Sequence, residues 1–101
     1  MIQVTKTDTY WIEKNTLTGL IKQGGKVTAS STSSFTFPEA FPHGVISIVA
    51  TPSAQPTNST SDSNYCAAVI NVTTSGFGLK YYDSDSTGGR TGEISWMAVG
   101  Y

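Results

Sequence analysis

Glu93-Ile94-Ser95-Trp96-Met97-Ala98-Val99-Gly100-Tyr101 is the stretch on which the fold turns. Read with a period of two, it places Ile94, Trp96 and Ala98 on one face and Met97, Val99 and Tyr101 on the other. Successive side chains of a β-strand point to opposite sides of the sheet, so this alternation marks a strand. An ordinary half-buried strand has one apolar and one polar face; here both are apolar. Val45-Ile46-Ser47-Ile48-Val49-Ala50 is similar, with Ile46 and Ile48 on one side and Val45 and Val49 on the other. A small two-layer sandwich has one interior, so a second apolar face calls for another cover. In a chain of 101 residues without a helical pattern, that cover is most simply another subunit. The expectation is a homo-oligomer with Val45, Val49, Met97, Val99 and Tyr101 at its interface.

Working outward, the same alternation recurs between Gly, Pro, Asn and Ser clusters, the pattern of an all-β chain. Ser34 to Phe37 alternates before Pro38, Cys66 to Val72 is a further run, and Gly76 to Tyr82 sets Phe77, Leu79 and Tyr81 on one face. Leu20 to Lys22 and Lys26 to Ser30 read as two shorter strands around Gly24-Gly25. Tyr10-Trp11-Ile12 reads either as a lead-in strand or as part of an incoming stalk. No stretch carries apolar residues at helical spacing. Six to eight strands at about 8–12-residue spacing give a small antiparallel β-sandwich. Two polar connections interrupt it, at 53–64 and 83–92, and connections of such length often carry function.

Composition narrows the function. The chain has 38% hydrophobic and 13% charged residues, with 13 Ser and 15 Thr in place of the missing charge. Hydroxyls suit the exposed face of a sheet. Six basic residues against seven acidic ones leave no basic footprint for nucleic acid. No apolar run approaches the ~20 residues of a membrane span, and the start is no signal peptide, so neither membrane insertion nor secretion is expected. One Cys and one His exclude an internal disulfide and a single-chain zinc site.

The ending Trp96-x-Ala98-x-Gly100-Tyr101 resembles the C-terminal domain of tail fibres of tailed bacteriophages and prophages. Three upstream features are similar to the same family: Gly19-Leu20-Ile21-x-Gln23-x-Gly25, the Phe-Pro-x-Ala-Phe-Pro segment of Phe37 to Pro42, and Val49-Ala50-Thr51 followed by Asn71 to Phe77. The resemblance covers about Gly19 to Tyr101. It divides the chain into a lead-in segment or end of a fibre shaft at 1–18 and a β-sandwich tip domain at 19–101. The family often carries a Trp directly after the Gln of the opening strand, where this chain has Gly24. The resemblance implies the distal tip of a homotrimeric fibre on a virion, joined to the rest of the tail fibre and binding the host cell surface. Within the Phe-Pro segment, Pro38 and Pro42 cannot donate to a ladder, and Phe37 and Phe41 are placed to plug the edge of the core.

For such a role the chemistry to look for is glycan binding. Sugars are held by hydrogen bonds from acids, amides, Arg and hydroxyls, with aromatic faces against the ring. Tyr82, Asp83, Asp85 and Arg90 supply that set on one connection, and Asp62, Asn64 and Tyr65 on the other. Arg90 also suits the phosphate or carboxylate of a lipopolysaccharide. Tyr81, in step with Phe77 and Leu79, belongs to the core. No cofactor is expected. Asp83-x-Asp85-x-Thr87-Gly88 begins like a calcium loop but has Ile94 where a bidentate Glu is required. There is no Gly-x-Ser-x-Gly elbow, and the single His43 sits between Pro42 and Gly44 as a turn residue. No catalytic residue is assigned. The alternatives to a receptor-binding tip are a trimerisation cap without receptor contact and a polysaccharide depolymerase using two carboxylates.

Overall fold

A computed structural model describes residues 1–30, 32–53, 65–83 and 92–101. These form an all-β fold of eight strands: β1 (Ile2–Lys6), β2 (Tyr10–Asn15), β3 (Ile21–Ala29), β4 (Ser33–Thr36), β5 (Val45–Pro52), β6 (Tyr65–Ile70), β7 (Gly76–Asp83) and β8 (Gly92–Gly100). They make two antiparallel sheets, one of five strands in the order β1-β2-β3-β8-β5 and one of three in the order β4-β7-β6.

The inner faces carry the core. From the large sheet come Ile12, Ile21, Ala29, Ile94, Trp96 and Ala98, and from the small sheet Phe77, Leu79 and Tyr81. Phe37 and Phe41, at the margin of the sandwich, are likewise buried. The Phe37 ring stands edge-on to Phe41 at 4.9 Å and tilted against Phe77 at 5.2 Å, while Phe77 reaches Trp96 at 5.1 Å. Such offset and edge-on pairs add about 0.5–1.5 kcal/mol each beyond the area they bury. The Phe-Pro segment is held in place by Gln23, which has no exposed surface. Its Nε2 donates to the Glu39 carbonyl at 2.7 Å, and its Oε1 accepts from the Glu39 N–H at 3.1 Å.

Two features of the sequence reading are corrected and one open alternative is decided. First, Gly24-Gly25 does not separate two strands: β3 runs through it, in register with Met97 and Trp96 of β8. The glycines are there for closeness. A Cβ on Gly24 would lie 2.6 Å from the Trp96 carbonyl oxygen and 2.9 Å from the Trp11 ring. Secondly, of the two readings of Tyr10-Trp11-Ile12 the strand holds: β2 pairs with β3 in the large sheet, β1 pairs with β2, and Ile12 lies in the core. Thirdly, Ile46 and Ile48 do not share a face, nor do Val45 and Val49. A bulge between Val45 and Ser47 shifts the alternation by one. Val45, Ile48 and Ala50 therefore pack on the core, and Ile46 and Val49 face outward, about 60% exposed.

Candidate functional site

Antiparallel pairing fixes which strand ends lie together. Ala29 of β3 pairs with Gly92 of β8, Pro52 of β5 with Ile94 of β8, and Tyr65 of β6 with Asp83 of β7. The chain crosses between the sheets at this end from β5 to β6 and from β7 to β8. Both polar connections therefore depart from one end of the sandwich. At the opposite end Ile2 pairs with Asn15, and Ile21 and Val45 both pair with Gly100. Of the glycan-binding set, Tyr65 opens β6, while Tyr82 and Asp83 close β7 in register with Cys66 and Tyr65. Asp62, Asn64, Asp85 and Arg90 lie outside the described residues. Tyr81 is fully buried, as its place in the alternation requires.

The outer face of the large sheet is the second feature. One register row crosses all five strands: Lys6, Trp11, Gly24, Met97 and Val49. The next row toward the Ile2 end is Val4, Glu13, Lys22, Val99 and Ser47. Met97 is 44% exposed and Tyr101 49%; Val99 is half-buried. Two open grooves flank the Ser95–Met97 ridge of β8. One, of about 540 Å³, runs between Trp11 and Met97 and is rimmed by Lys6, Asp8 and Lys26. The other, of about 400 Å³, lies between Met97 and Val49. The outward apolar surface thus comprises Val49, Met97, Val99 and Tyr101, without Val45. It also includes Trp11, Val4 and Ile46, which the sequence reading did not place there. The alternation of Trp11 with Ile12 and Glu13 would have placed Trp11, had the segment been read as part of the sheet.

The family model described as "Putative tail fiber protein gp53-like, C-terminal" matches residues 15–101. The chain belongs to this family of tail fibre C-terminal domains. No curated protein matches it. Among solved structures it is similar to an N-truncated R1-type pyocin tail fiber, with 25% identity and a TM-score of 0.78, covering all of this chain and 86% of that one. An N-truncated R2-type pyocin tail fiber gives 21% identity and a TM-score of 0.78 over all of this chain and 38% of that one. A P. aeruginosa R2 pyocin fiber gives 22% and 0.77 over all of this chain and 26% of that one. The tail fibre domain thus spans well under half the length of these last two chains.

The residues that carry the resemblance are packing residues. Along the inner face of β8 the side chains shrink from Trp96, in the aromatic cluster, to Ala98, with no exposed surface, to Gly100. A Cβ on Gly100 would sit 2.3 Å from the Gly44 carbonyl oxygen and 2.6 Å from the Phe41 ring. Tyr101 then closes the end, exchanging backbone hydrogen bonds with Gly44 and stacking on His43 at 5.8 Å. Over Gly24, the indole of Trp11 arrives from the neighbouring strand.

Proposed function

We propose that this tail fibre domain forms the distal, host-binding tip of its fibre, as a homotrimer that recognises a bacterial surface glycan or lipopolysaccharide through residues 53–65 and 82–92. The observation that carries the reading is topological. Both connections leave the sandwich at the end opposite the Ile2–Asn15 pairing, where a preceding shaft would join. Residues 1–18 then bring the chain up from the shaft and add two strands to the sheet, and residues 19–101 complete the sandwich. Tyr82, Asp83, Asp85 and Arg90, with Asp62, Asn64 and Tyr65, contact sugar rings and their acidic substituents. A single shallow site of this kind is weak, and three per tip and several tips per particle raise the effective affinity without new contacts. The reading is non-enzymatic: the domain binds and does not cleave.

The test is competition for adsorption. Purified domain protects susceptible cells from particles bearing the same fibre. The Tyr82→Ala/Asp85→Ala/Arg90→Ala variant loses that protection with its mass and circular dichroism unchanged. Protection equal to that of the parent domain refutes the assignment. It favours the second reading, a trimerisation cap, for which the outward apolar face speaks. Release of oligosaccharide from host polysaccharide would instead indicate a depolymerase.

A further inference from the structure

We infer that the groove between the β1–β2 turn and the Ser95–Met97 ridge is a binding site for an acidic saccharide, with a sugar ring against the Trp11 indole and its carboxylate or phosphate between Lys6 and Lys26. The groove uses none of residues 53–65 and 82–92, so it is a site separate from the one proposed above and stands or falls without it.

The site begins at Gly24. Trp11, Gly24 and Met97 follow one another in register across β2, β3 and β8. With no side chain on Gly24, bare backbone separates the two large residues, and the Trp11 ring lies 2.9 Å from where a Cβ would stand. The groove this leaves has about 540 Å³, within the ~300–1,000 Å³ of ligand pockets. Trp11 is half-buried, so packing fixes the indole while part of it stays open to a ligand. The wall opposite, the β1–β2 turn, is set before anything binds. Thr7 Oγ1 accepts from the Thr9 and Tyr10 N–H groups at 3.2 and 3.1 Å, and the Lys26 N–H donates to the Thr9 carbonyl at 2.9 Å. A wall held in this way has little freedom to lose on binding.

Charge selects the occupant. Lys6 and Lys26 both line the groove and are exposed. Asp8 shares the rim, yet among the described residues the ion pair is that of Lys14 with Glu39, and neither groove lysine is paired with a carboxylate. Two unpaired ammonium groups beside an aromatic face fit a ring with an anionic substituent. The apolar C–H face of the sugar covers the indole, and the anion accepts charge-assisted hydrogen bonds from the lysines. The Asp8 carboxylate and the Ser95 hydroxyl line the same groove and suit the ring's O–H groups. A net charge of −1 disfavours a polyanion such as nucleic acid, whereas one acidic sugar needs only local positive charge. The groove on the other side of Met97 makes the contrast. It is lined by Val49 to Thr51 and Ser95 to Met97, none of them charged, and has nothing to orient an anion.

The test reads the two indole N–H signals of the ¹⁵N-labelled chain, assigned with Trp11→Phe. Trigalacturonate and glucose 6-phosphate are titrated into the millimolar range, with maltotriose, glucose and inorganic phosphate as controls. At least one acidic sugar is expected to move the Trp11 signal saturably while the signal of the buried Trp96 stays in place. Which of the two acts identifies the anion as carboxylate or phosphate. Added NaCl is expected to reverse the shift, because both lysines are exposed. Lys6→Ala/Lys26→Ala is expected to weaken binding about tenfold or more with circular dichroism unchanged. Lys22→Ala removes a charge one row away, outside the groove, and is expected to bind as the parent does. A Trp11 signal that neither acidic sugar moves would overturn the site. So would a neutral sugar or inorganic phosphate acting as strongly as the acidic sugars, parent-like binding by the double lysine variant, or an equal loss in Lys22→Ala.

Discussion

Replacing Gln23 by Met is the sharpest test of how the fold is closed. The two side chains have nearly the same length, so the substitution opens little cavity. It removes both hydrogen bonds between β3 and Glu39, at 2.7 and 3.1 Å, and leaves the Glu39 N–H and C=O unpaired. An unsatisfied buried group costs ~1–3 kcal/mol. The Glu39 side chain is 35% exposed, which admits some water and favours the lower end of that range, about 2–3 kcal/mol for the pair. A domain of this size has ~5–15 kcal/mol in all and loses ~4–8 °C in Tm per kcal/mol, so the midpoint falls by about 10–20 °C. Thermal unfolding followed by Trp fluorescence at matched protein concentration measures it. A shift under about 3 °C would refute the claim that Gln23 pins the Phe37–Pro42 segment. Gln23→Glu adds a signed test. Burial and the facing carbonyl raise the folded-state pKa of the new carboxyl above the ~4.3 of the unfolded chain. The folded state then holds the proton more tightly, so stability is retained below about pH 4.3 and lost as pH rises through the folded pKa. The deficit against the parent chain therefore grows from pH 4 to pH 7.

Gly24→Ala places a methyl against the Trp96 carbonyl and the Trp11 ring, and is expected to cost about 1–3 kcal/mol in urea unfolding. Trp96→Ala removes the indole that meets Phe37 and Phe77 and is expected to cost ~3–5 kcal/mol, enough to unfold much of the chain at 37 °C. Met97→Ala, at a 44% exposed position one residue on, is expected to change the stability of the lone chain by under about 1 kcal/mol and to weaken assembly by light scattering. Lys14→Ala breaks the 2.9 Å pair with Glu39 between side chains 38% and 35% exposed, and is expected to move Tm by no more than a few degrees.

Strands whose two faces could be read one residue at a time were legible. Phe77, Leu79 and Tyr81 are buried, and Trp96 lies in the core opposite an outward Met97. Phe37 and Phe41 plug the margin of the sandwich as their flanking prolines suggested. What failed to read through were the places where backbone departs from period two or where a neighbour explains a residue. The bulge between Val45 and Ser47 falls on Ile46, a β-branched residue that does not announce it, so the parity of β5 was lost at its start. Gly24-Gly25 carries the composition of a turn, and only the Trp11 ring, the Trp96 carbonyl and the Thr9 carbonyl of the β1–β2 turn explain it. The buried Gln23 is equally silent, because its partner is the backbone of a residue sixteen positions away. Of the candidate site, the pairing of strand ends brings the two connections to one end. That follows from topology, which local sequence does not encode.

Among the described residues the two ends of the sandwich are tied differently, and this bears on where the chain tolerates change. At the Tyr101 end, backbone bonds join elements distant in sequence: Gly44 to Tyr101, Phe41 to Thr74, and Phe37 to Ser75. Gly100 is additionally locked beneath Phe41. A substitution there disturbs several strands at once. At the other end, the ties among the described residues include the Ser53 N–H to the Glu93 carbonyl, the Ser53 hydroxyl to the Glu93 carboxylate, the Lys26 N–H to the Thr9 carbonyl in the β1–β2 turn, and a local Ser30–Ser33 turn. Loop-closure entropy grows only slowly with length, so insertions or exchanges at 54–64 and 84–91 cost little as long as Pro52, Tyr65, Asp83 and Gly92 keep their pairing. A scaffold tied in this way at the Tyr101 end can carry variable connections at the other.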